Sequence, residues 1–294
     1  MLPRWLKVWQ HEFGKGSKLH LFEVSENRNV IGIAPIMVKE GKASFIASAD
    51  VCDYMDFVVA PGKELAFFTA VLDKLKKDGI KELFLESLRH DSTVMTCLPD
   101  LAKGKGYEVT VTRQNVSLYL DLPSTWDDYL KTLSPKQRRE TGRRFRRLDE
   151  EGEVNYRVLE DAEPEVLDIF FKLMRVSRKD KAAFLTPEME YFFRALAQTM
   201  AEAGMLRFGV LEISKSPVAA VMCFDYNDKV YLYNSGYNPD YGYISVGLLS
   251  KLLSIKDSIE RGKKAYDFLK GPEEYKYRLG GREIPIYSCR IILT

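Results

Sequence analysis

Residues 265–280 read AYDFLKGPEEYKYRLG, and the fold prediction starts from this stretch. Its first five residues are mostly apolar and predict a short buried strand. Gly271 and the proline after it end the strand. Residues 273–278 then predict a short helix that carries Lys276. Taken alone, the stretch predicts no more than a buried strand and a turn, so its meaning depends on the segments around it.

The segments before this stretch predict three antiparallel strands and a helix. Residues 205–213, 218–226 and 230–235 read as strands, separated by turns at Ser216-Pro217 and Asn227-Asp228. The following helix has apolar residues at helical spacing, namely Leu248, Leu252, Ile255 and Ile259. Residues 284–293 predict a final strand. Upstream, residues 154–159 predict a strand, and two apolar helices follow it.

The first half of the chain predicts nearly the same order of elements. After a short helix near residue 1, strands are expected at residues 18–24, 30–38, 44–46 and 56–59. A helix with Leu65, Phe68, Leu72 and Leu75 on one face, a strand at 82–86, a helix at 93–103 and strands at 107–112 and 117–122 follow. This internal repeat predicts two α/β domains, residues 1–122 and 123–294, each a curved mixed sheet flanked by helices.

Composition sets limits on the class of protein. The 294 residues suggest two domains, and 46% hydrophobic with 29% charged residues is typical of a soluble globular chain. A net charge of +2 requires neither DNA nor a membrane surface. The four cysteines and three histidines show no metal-ligand spacing, so no metal is expected. No apolar run of ~18 residues predicts a membrane span. We therefore expect a cytoplasmic protein, with peripheral membrane contact left open.

Several motifs, in this order, resemble those of a known family. Strand, turn, strand, strand, helix and strand is the order of the GNAT superfamily core, and its tandem use resembles the CelD-like and FemAB-like branch. The motifs that carry the resemblance are Trp5-Leu6 with Trp9, Gly32-Ile33-Ala34-Pro35-Ile36, Asp53-Tyr54-Met55-Asp56-Phe57, residues 136–148, and Tyr266–Gly271 with Tyr275-Lys276 and Arg278-Leu279-Gly280. That branch has a strand before its first helix, so the N-terminal domain is expected to lack its first strand.

The resemblance implies an acyltransferase, with acyl-CoA bound where two central strands splay apart. Its pyrophosphate would lie on backbone amides at a helix start, which corresponds here to Gly242, Ser245, Val246 and Gly247. The family's usual glycine-rich loop is not intact, because Tyr241, Tyr243 and Ile244 are bulky. Fem-type relatives also depart from that loop and take an aminoacyl group from tRNA. Alternatively, the glycines only relieve a tight turn.

Lys276 is the main catalytic candidate. A cation after the strand could stabilise the charge that builds on an acyl carbonyl or a phosphate, and resemblance to the Fem-type branch implies a functional lysine at this place. A solvated helix lysine is the structural alternative. Lys270 and Arg278, beside it, are candidates for binding substrate, although Arg278 could instead pair with Asp267 or Glu274.

Asp53 and Asp56 are the candidate general bases. An amine nucleophile must lose a proton, and a carboxylate in an apolar cleft can accept it. The alternative is that each aspartate only caps the end of a strand. Tyr54, between them, could bind a substrate or merely pack.

A basic helix is predicted at residues 135–151. It contains seven basic residues between Lys136 and Arg147, and Arg139, Arg143 and Arg147 share one face because they are spaced by four. They could bind a diphosphate, an acyl-CoA phosphate or a tRNA backbone. A solvated face neutralised by the acidic residues at 149–151 is the alternative. Tyr237 and Tyr241 belong to a tyrosine-rich region that could line a cleft for a sugar or an acyl chain.

Three hypotheses follow from these patterns and the resemblance. The first is an N-acyltransferase that moves an acyl group from acyl-CoA to an amine of a sugar or cell-envelope precursor. The second is an aminoacyl-tRNA-dependent transferase that acts on a peptidoglycan-type precursor. The third is a non-catalytic scaffold that binds a polysaccharide or a partner protein.

Overall fold

A computed structural model describes residues 2–294 of the chain. They form two compact units. The first contains the described residues up to Val116 together with Ile284–Thr294, and the second is Ser117–Glu283. No helix within the described residues is long and apolar enough to span a membrane.

The first unit is a mixed sheet with three helices. Its elements in chain order are α1 (Pro3–Phe13), β1 (Lys18–Glu26), β2 (Asn29–Lys39), β3 (Lys42–Phe45), β4 (Val58–Val59), α2 (Glu64–Lys77), β5 (Glu82–Arg89) and α3 (Thr93–Gly104). The strands run in the order β1-β2-β3-β5, and β4 pairs with β2. Of these pairings only β3 with β5 is parallel.

Helix α2 shows how sequence spacing and packing differ. Phe68, Leu72 and Leu75 are fully buried, as their spacing predicts. Leu65, assigned to the same face, is 62% exposed, and Phe67 is buried in its place. A Cβ at Gly32 would meet the Phe67 ring at 2.3 Å, so strand β2 approaches the helix closely enough to exclude any side chain there.

The second unit begins within strand β6 (Glu108–Asp121). Its elements are α4 (Trp126–Thr132), α5 (Pro135–Asp149), β7 (Val154–Leu159), α6 (Pro164–Ser177), α7 (Lys179–Phe184), α8 (Pro187–Glu202), β8 (Leu206–Ile213), β9 (Ser216–Tyr226), β10 (Lys229–Tyr237), a 3-10 helix (Pro239–Ile244), α9 (Val246–Glu260), β11 (Ala265–Lys270) and α10 (Glu274–Arg278). The last strand, β12 (Arg282–Ile292), pairs antiparallel with β5 through residues of the first unit.

The strands of the second unit lie in the order β6-β11-β10-β9-β8-β7. All neighbours are antiparallel except β10 and β11. Helix α6 lies close against β10, because a Cβ at Gly236 would meet the backbone nitrogen of Met174 at 2.4 Å. Helix α9 is buried on most of its surface, including Leu249, Leu252 and Ile255. The chain thus has the mixed α/β fold that its element order predicts.

Two further local predictions were wrong, and one helix was not predicted. Residues 107–112 and 117–122 form one long strand, β6, since the backbone stays extended between them. The turn expected at Ser216-Pro217 lies instead at Ser214 and Lys215, which take positive φ angles of 48° and 65°. Helix α7 was not predicted, because six residues with four charged or aromatic side chains carry no clear periodicity.

Candidate active site

A cleft opens in the second unit where two parallel strands part. Strands β10 and β11 pair only through Lys229–Tyr231 and Ala265–Asp267, although β10 continues to Tyr237. The cleft beyond the paired residues has a volume of about 350 Å³. It is lined by Arg178, Lys181, Ser235, Tyr237, Gly242, Ser245, Val246, Gly247, Leu248, Lys251, Glu273 and Tyr275. All of these residues belong to the second unit.

The start of helix α9 forms one rim of the cleft. The 3-10 helix ends at Ser245, whose left-handed conformation (φ 64°, ψ 45°) turns the chain into α9 at Val246. The first amides of a helix have no partner within it and carry partial positive charge, so an anion can bind there. The four residues predicted to bind the cofactor, Gly242, Ser245, Val246 and Gly247, are therefore brought together on the cleft wall.

The two glycines of this rim have different physical requirements. A Cβ at Gly247 would lie 2.8 Å from the Tyr237 ring, so the glycine lets that ring pack against the first turn of α9. A Cβ at Gly242 would meet nothing within 4 Å. Gly242 therefore keeps the rim open without any packing requirement, whereas Gly247 fixes the position of Tyr237 on the cleft wall.

Two lysines that sequence reasoning missed extend into the cleft. Lys251, on α9, is 5% exposed, and its Nζ donates to the Gly247 carbonyl at 2.7 Å. Lys181, on α7, donates to Asn234 Oδ1 at 2.9 Å and to the Ser235 carbonyl on β10. Burial, and after it the nearby Lys181 charge, lower the pKa of Lys251 to about 7. Burial and then Arg178 lower the pKa of Lys181 to about 8.

The remaining cleft residues supply a phenol, a guanidinium and a carboxylate. Burial raises the pKa of Tyr275, so its hydroxyl stays protonated at neutral pH and can act as a donor. Arg178 is held by Asp180 through two hydrogen bonds. Glu273 forms an ion pair with Lys276 at 2.9 Å. Positive charge therefore exceeds negative charge on the cleft wall, which suits an anion or a developing oxyanion.

Lys276 does not project from its helix as expected. It is 2% exposed, and its Nζ donates to three successive carbonyls, those of Leu269, Lys270 and Gly271, at 3.0, 2.8 and 3.1 Å. The ammonium therefore holds the turn between β11 and α10 closed from inside. The solvated alternative is wrong, because this lysine is part of the core.

Lys270 and Arg278 lie on either side of Lys276 in sequence, but neither lines the cleft. Lys270 is partly buried at the end of β11. Arg278 pairs with Glu274, one of the two partners expected for it, with Nε to Oε1 at 3.1 Å. The other expected partner, Asp267, is buried and accepts from the Leu269 amide at 2.8 Å.

A second groove, of about 470 Å³, adjoins the cleft through Leu248, which lines both. Its wall is formed by α5 and α10, with Ser134, Lys136, Gln137, Glu140, Thr141, Arg144, Glu274, Arg278 and Leu279. Arg144 pairs with Glu140 at 3.3 Å, and its buried Nε has no partner among the described residues. The Arg144 guanidinium therefore adds positive charge to the groove, while its Nε is enclosed by the protein.

The basic helix α5 begins at a capping box, in which Ser134 and Gln137 exchange side-chain and backbone hydrogen bonds. Arg139, Arg143 and Arg147 are exposed and do not line the groove. Arg143 pairs with Glu140 at 2.8 Å. The three arginines that share a face because of their spacing therefore point to solvent. Arg144, on another side of the helix, lines the groove.

The tyrosines predicted to bind substrate separate into two groups. Tyr237 lines the cleft, whereas Tyr241 is partly buried in the 3-10 helix and is not among the lining residues. Tyr243, one of the bulky residues of the loop, is exposed, and its hydroxyl donates to Glu151 at 2.6 Å. The loop is thereby tied to the residues that follow α5.

Asp53, Tyr54 and Asp56 belong to the first unit. Asp56 accepts hydrogen bonds from the Thr93 amide, the Thr93 hydroxyl and the Val94 amide at 2.7, 2.6 and 3.2 Å. It therefore caps the start of α3, whereas the structural alternative for this residue was a cap at the end of a strand. Tyr54 lies under the Arg89 guanidinium, 5.3 Å from the ring centroid. Asp53 is partly buried in the loop before β4.

One spacing in the sequence indicates that Lys251 faces the cleft. Lys251 follows Gly247 by four residues, so both lie on one face of α9, and that face is the one turned to the cleft. Lys181 had no such signal, because it lies on a helix too short to predict. Among the described residues, no group of three His, Cys, Asp or Glu side chains could hold a metal ion.

Comparisons with known proteins agree with this geometry. The family model described as an acetyltransferase (GNAT) domain matches residues 135–277, which contain the whole cleft. No curated protein sequence matches the chain.

Solved structures resemble the whole chain at low sequence identity. FemX is 11% identical and aligns over 98% of this chain and 90% of its own, with a TM-score of 0.66. The C-terminal domain of a putative lysylphosphatidylglycerol synthetase from Agrobacterium fabrum is 9% identical, with 98% and 90% coverage and a TM-score of 0.61. A tandem GNAT protein from the clavulanic acid biosynthesis pathway is 10% identical, with 97% and 86% coverage and a TM-score of 0.52.

At these identities the solved structures show a shared fold, and the domain match over residues 135–277 is to the acetyltransferase (GNAT) family. Together they agree with the resemblance that the motifs of the sequence suggest. Residues 135–277 match the GNAT domain model, the chain shares the fold of FemX and of the tandem GNAT protein, and these findings support a place in the FemAB-like branch of the GNAT superfamily.

Proposed function

We propose that the chain transfers an acyl group from acyl-CoA to an amine of a sugar or cell-envelope precursor, and that the transfer takes place in the cleft between β10 and β11. The observation that carries this proposal is the cation-lined cleft with the start of α9 at its rim. The pantetheine arm would lie between the parted strands. The pyrophosphate would lie on the first amides of α9.

The charges of the cleft favour a donor that is neutral or anionic at the reacting end. Arg178 and Lys181 supply its positive charge, and the carboxylate of Glu273 is already paired with Lys276. A thioester carbonyl that gains negative charge during attack is stabilised by such a wall. An aminoacyl group carries its own ammonium, which these cations would repel.

Tyr275 would assist the leaving group, and the second groove would bind the acceptor. The protonated phenol of Tyr275 would donate a hydrogen bond to the leaving thiolate, which takes up the proton that the attacking amine loses. The acceptor would bind in the groove beside α5, where Lys136, Arg144 and Arg278 suit a phosphate or sugar hydroxyls. Because Leu248 lines both cavities, an amine held in the groove could approach the cleft.

Binding of CoA and acetyl-CoA, measured by calorimetry and thermal shift, tests the donor. Gly242→Glu would place a carboxylate at the open rim and should weaken binding at least tenfold, because it repels the pyrophosphate. Gly242→Gln is the matched control, since it adds the same volume without charge and should retain most of the affinity. If no CoA thioester binds the parent chain, the donor is not acyl-CoA.

One observation favours aminoacyl-tRNA as a second candidate donor. The Ser235 carbonyl accepts from Lys181, and the Ser235 amide donates to Asn234 Oδ1 at 2.8 Å, so the free edge of β10 is already hydrogen-bonded. A pantetheine amide would have to displace these partners. The exposed arginines of α5 could then hold the tRNA backbone.

Binding of tRNA at several salt concentrations tests this candidate. Replacing Arg139, Arg143 and Arg147 by alanine should weaken binding and reduce its salt dependence. Replacing Lys74, Lys76 and Lys77 on α2 removes the same charge from another exposed face and is the control. Absence of binding by the parent chain at low salt excludes this donor.

A further inference from the structure

Lys251 has an unusual position for a lysine. It lies in the middle of the central helix α9, is 5% exposed, and lines the cleft rather than the surface. Its amino group is within 2.7 Å of the Gly247 carbonyl, in the same turn that would hold the donor's pyrophosphate. The Tyr275 ring lies 4.9 Å from it and covers one side.

The surroundings of Lys251 disfavour its charged form. No ion pair to Lys251 occurs within residues 2–294. The titratable and charged groups around it are Lys181 and Arg178 from the α6–α7 region, Cys223 from β9, and Glu273, Tyr275 and Lys276 from α10. The carboxylate among these groups, that of Glu273, pairs with Lys276. A buried ammonium with cationic neighbours and no carboxylate of its own loses its proton easily.

A neutral primary amine inside the cavity that would bind an activated acyl group is itself an acceptor. We infer that Lys251 is an acylation site, at which the bound acyl donor modifies the chain's own amine. The inference rests on the proposed function for the natural donor, a CoA thioester. The chemistry requires only an activated ester or thioester that reaches the cleft.

The step balances without any further reactant. The lone pair of Lys251 Nζ attacks the thioester carbonyl, a C–N bond forms, and the C–S bond breaks. The electron pair of the C–S bond leaves with sulfur, and the proton lost by nitrogen ends on the thiolate, directly or through the phenol of Tyr275. The products are an amide on Lys251 and free CoA thiol. Acylation fills the cleft at Lys251 and should therefore block further donor binding.

Peptide mapping by mass spectrometry after incubation with acetyl-CoA tests the inference on the unaltered chain. Lys256 is an internal control, because it lies on the same helix with its side chain 42% exposed. Acetylation of Lys251 should exceed that of Lys256 at least tenfold at pH 8 and should stop when excess CoA occupies the cleft. Equal or lower modification of Lys251 would overturn the inference.

A second reagent separates this inference from the proposed donor. The N-hydroxysuccinimide ester of acetic acid is a small activated ester that needs no CoA site. Labelling of Lys251 by this ester, with no CoA binding, would keep the reactive lysine and reject the CoA donor. CoA binding with Lys251 unlabelled by either reagent would keep the donor and reject the inference. Lys251→Arg should abolish the label, and its thermal unfolding shows whether the variant is folded.

Discussion

Lys251 and Gly247 are joined across one turn of α9, because the lysine Nζ donates to the glycine carbonyl at 2.7 Å. Gly247 also lies where a Cβ would meet the Tyr237 ring. One turn of helix thus fixes a buried amine, a tyrosine and the amides at the cleft rim. A change at any of the three should affect the other two.

Lys251 should make the stability of the chain depend on pH. Its pKa is about 7 in the folded chain and 10.5 ordinarily, so the unfolded chain binds more protons between these values. The free energy of unfolding should therefore rise with pH in this window, by about 1.4 kcal/mol per pH unit from this group. Below pH 7 its contribution is constant and unfavourable.

Denaturant unfolding of the parent and of Lys251→Met between pH 6 and 10 measures this contribution. The variant lacks the penalty, so its advantage over the parent should be greatest near pH 6 and should shrink towards pH 10. Lys256→Met, on the same helix but exposed, should differ from the parent by a constant amount. A stability difference for Lys251→Met that does not change with pH would show that Lys251 is charged in the fold.

Gly247→Ala should disturb the cleft far more than Gly242→Ala. The new methyl group at position 247 would lie 2.8 Å from the Tyr237 ring, which must move or displace the start of α9. We expect a loss of about 1–3 kcal/mol in unfolding free energy and weaker donor binding. At position 242 the methyl group meets nothing within 4 Å, so stability should be nearly unchanged.

Tyr237→Ala provides the decisive combination for this contact. If the ring is what Gly247 accommodates, Gly247→Ala combined with Tyr237→Ala should cost less than the sum of the two single changes. Additive costs in a double-mutant cycle would mean that the glycine is needed for another reason, such as the approach of a ligand.

The fold was largely predictable because its elements have strong local patterns. The spacing of Leu252, Ile255 and Ile259 predicts α9, and the apolar run at 265–269 predicts β11. Helix α7 was missed, since six residues are too few to show a period. Lys181 lies on this helix, so the sequence did not predict its contact with β10 in the cleft.

The roles of individual polar residues were less predictable than the elements that carry them. Lys276 looks like a helix lysine in sequence, but positive φ angles at Leu269 (60°) and Gly271 (112°) curl the preceding chain around its ammonium. Asp56 is 37 residues from Thr93, so its capping bond is a long-range contact that no local pattern reports. The tertiary fold determines whether such a side chain is buried and which residues, far away in sequence, become its partners.

Asp56→Ala should destabilise the first unit without abolishing donor binding in the second. The carboxylate accepts from the Thr93 and Val94 amides at the start of α3, and loss of a helix cap costs about 1–2 kcal/mol. Asp100→Ala, on the same helix with its side chain 93% exposed, should change stability by less than about 0.5 kcal/mol. Loss of CoA binding in a folded Asp56→Ala chain would restore this aspartate as a functional candidate.

Lys276→Met tests whether the residue first considered catalytic is structural. Methionine fills a similar volume but leaves the carbonyls of Leu269, Lys270 and Gly271, and the carboxylate of Glu273, without their shared donor. Leaving a buried acceptor without its donor costs about 1–3 kcal/mol, and three carbonyls share this donor, so we expect a loss of at least this size in unfolding free energy. Lys256→Met is the control and should stay within about 0.5 kcal/mol of the parent.

A double variant distinguishes a structural role of Lys276 from a catalytic one. Combining Glu273→Gln with Lys276→Met removes the carboxylate whose charge is otherwise left unpaired, so the double variant should recover part of the lost stability. Transfer activity should follow the folded fraction in both variants, because the ammonium is turned towards the carbonyls of its own turn. A Lys276→Met chain that unfolds like the parent but transfers no acyl group would make this lysine catalytic after all.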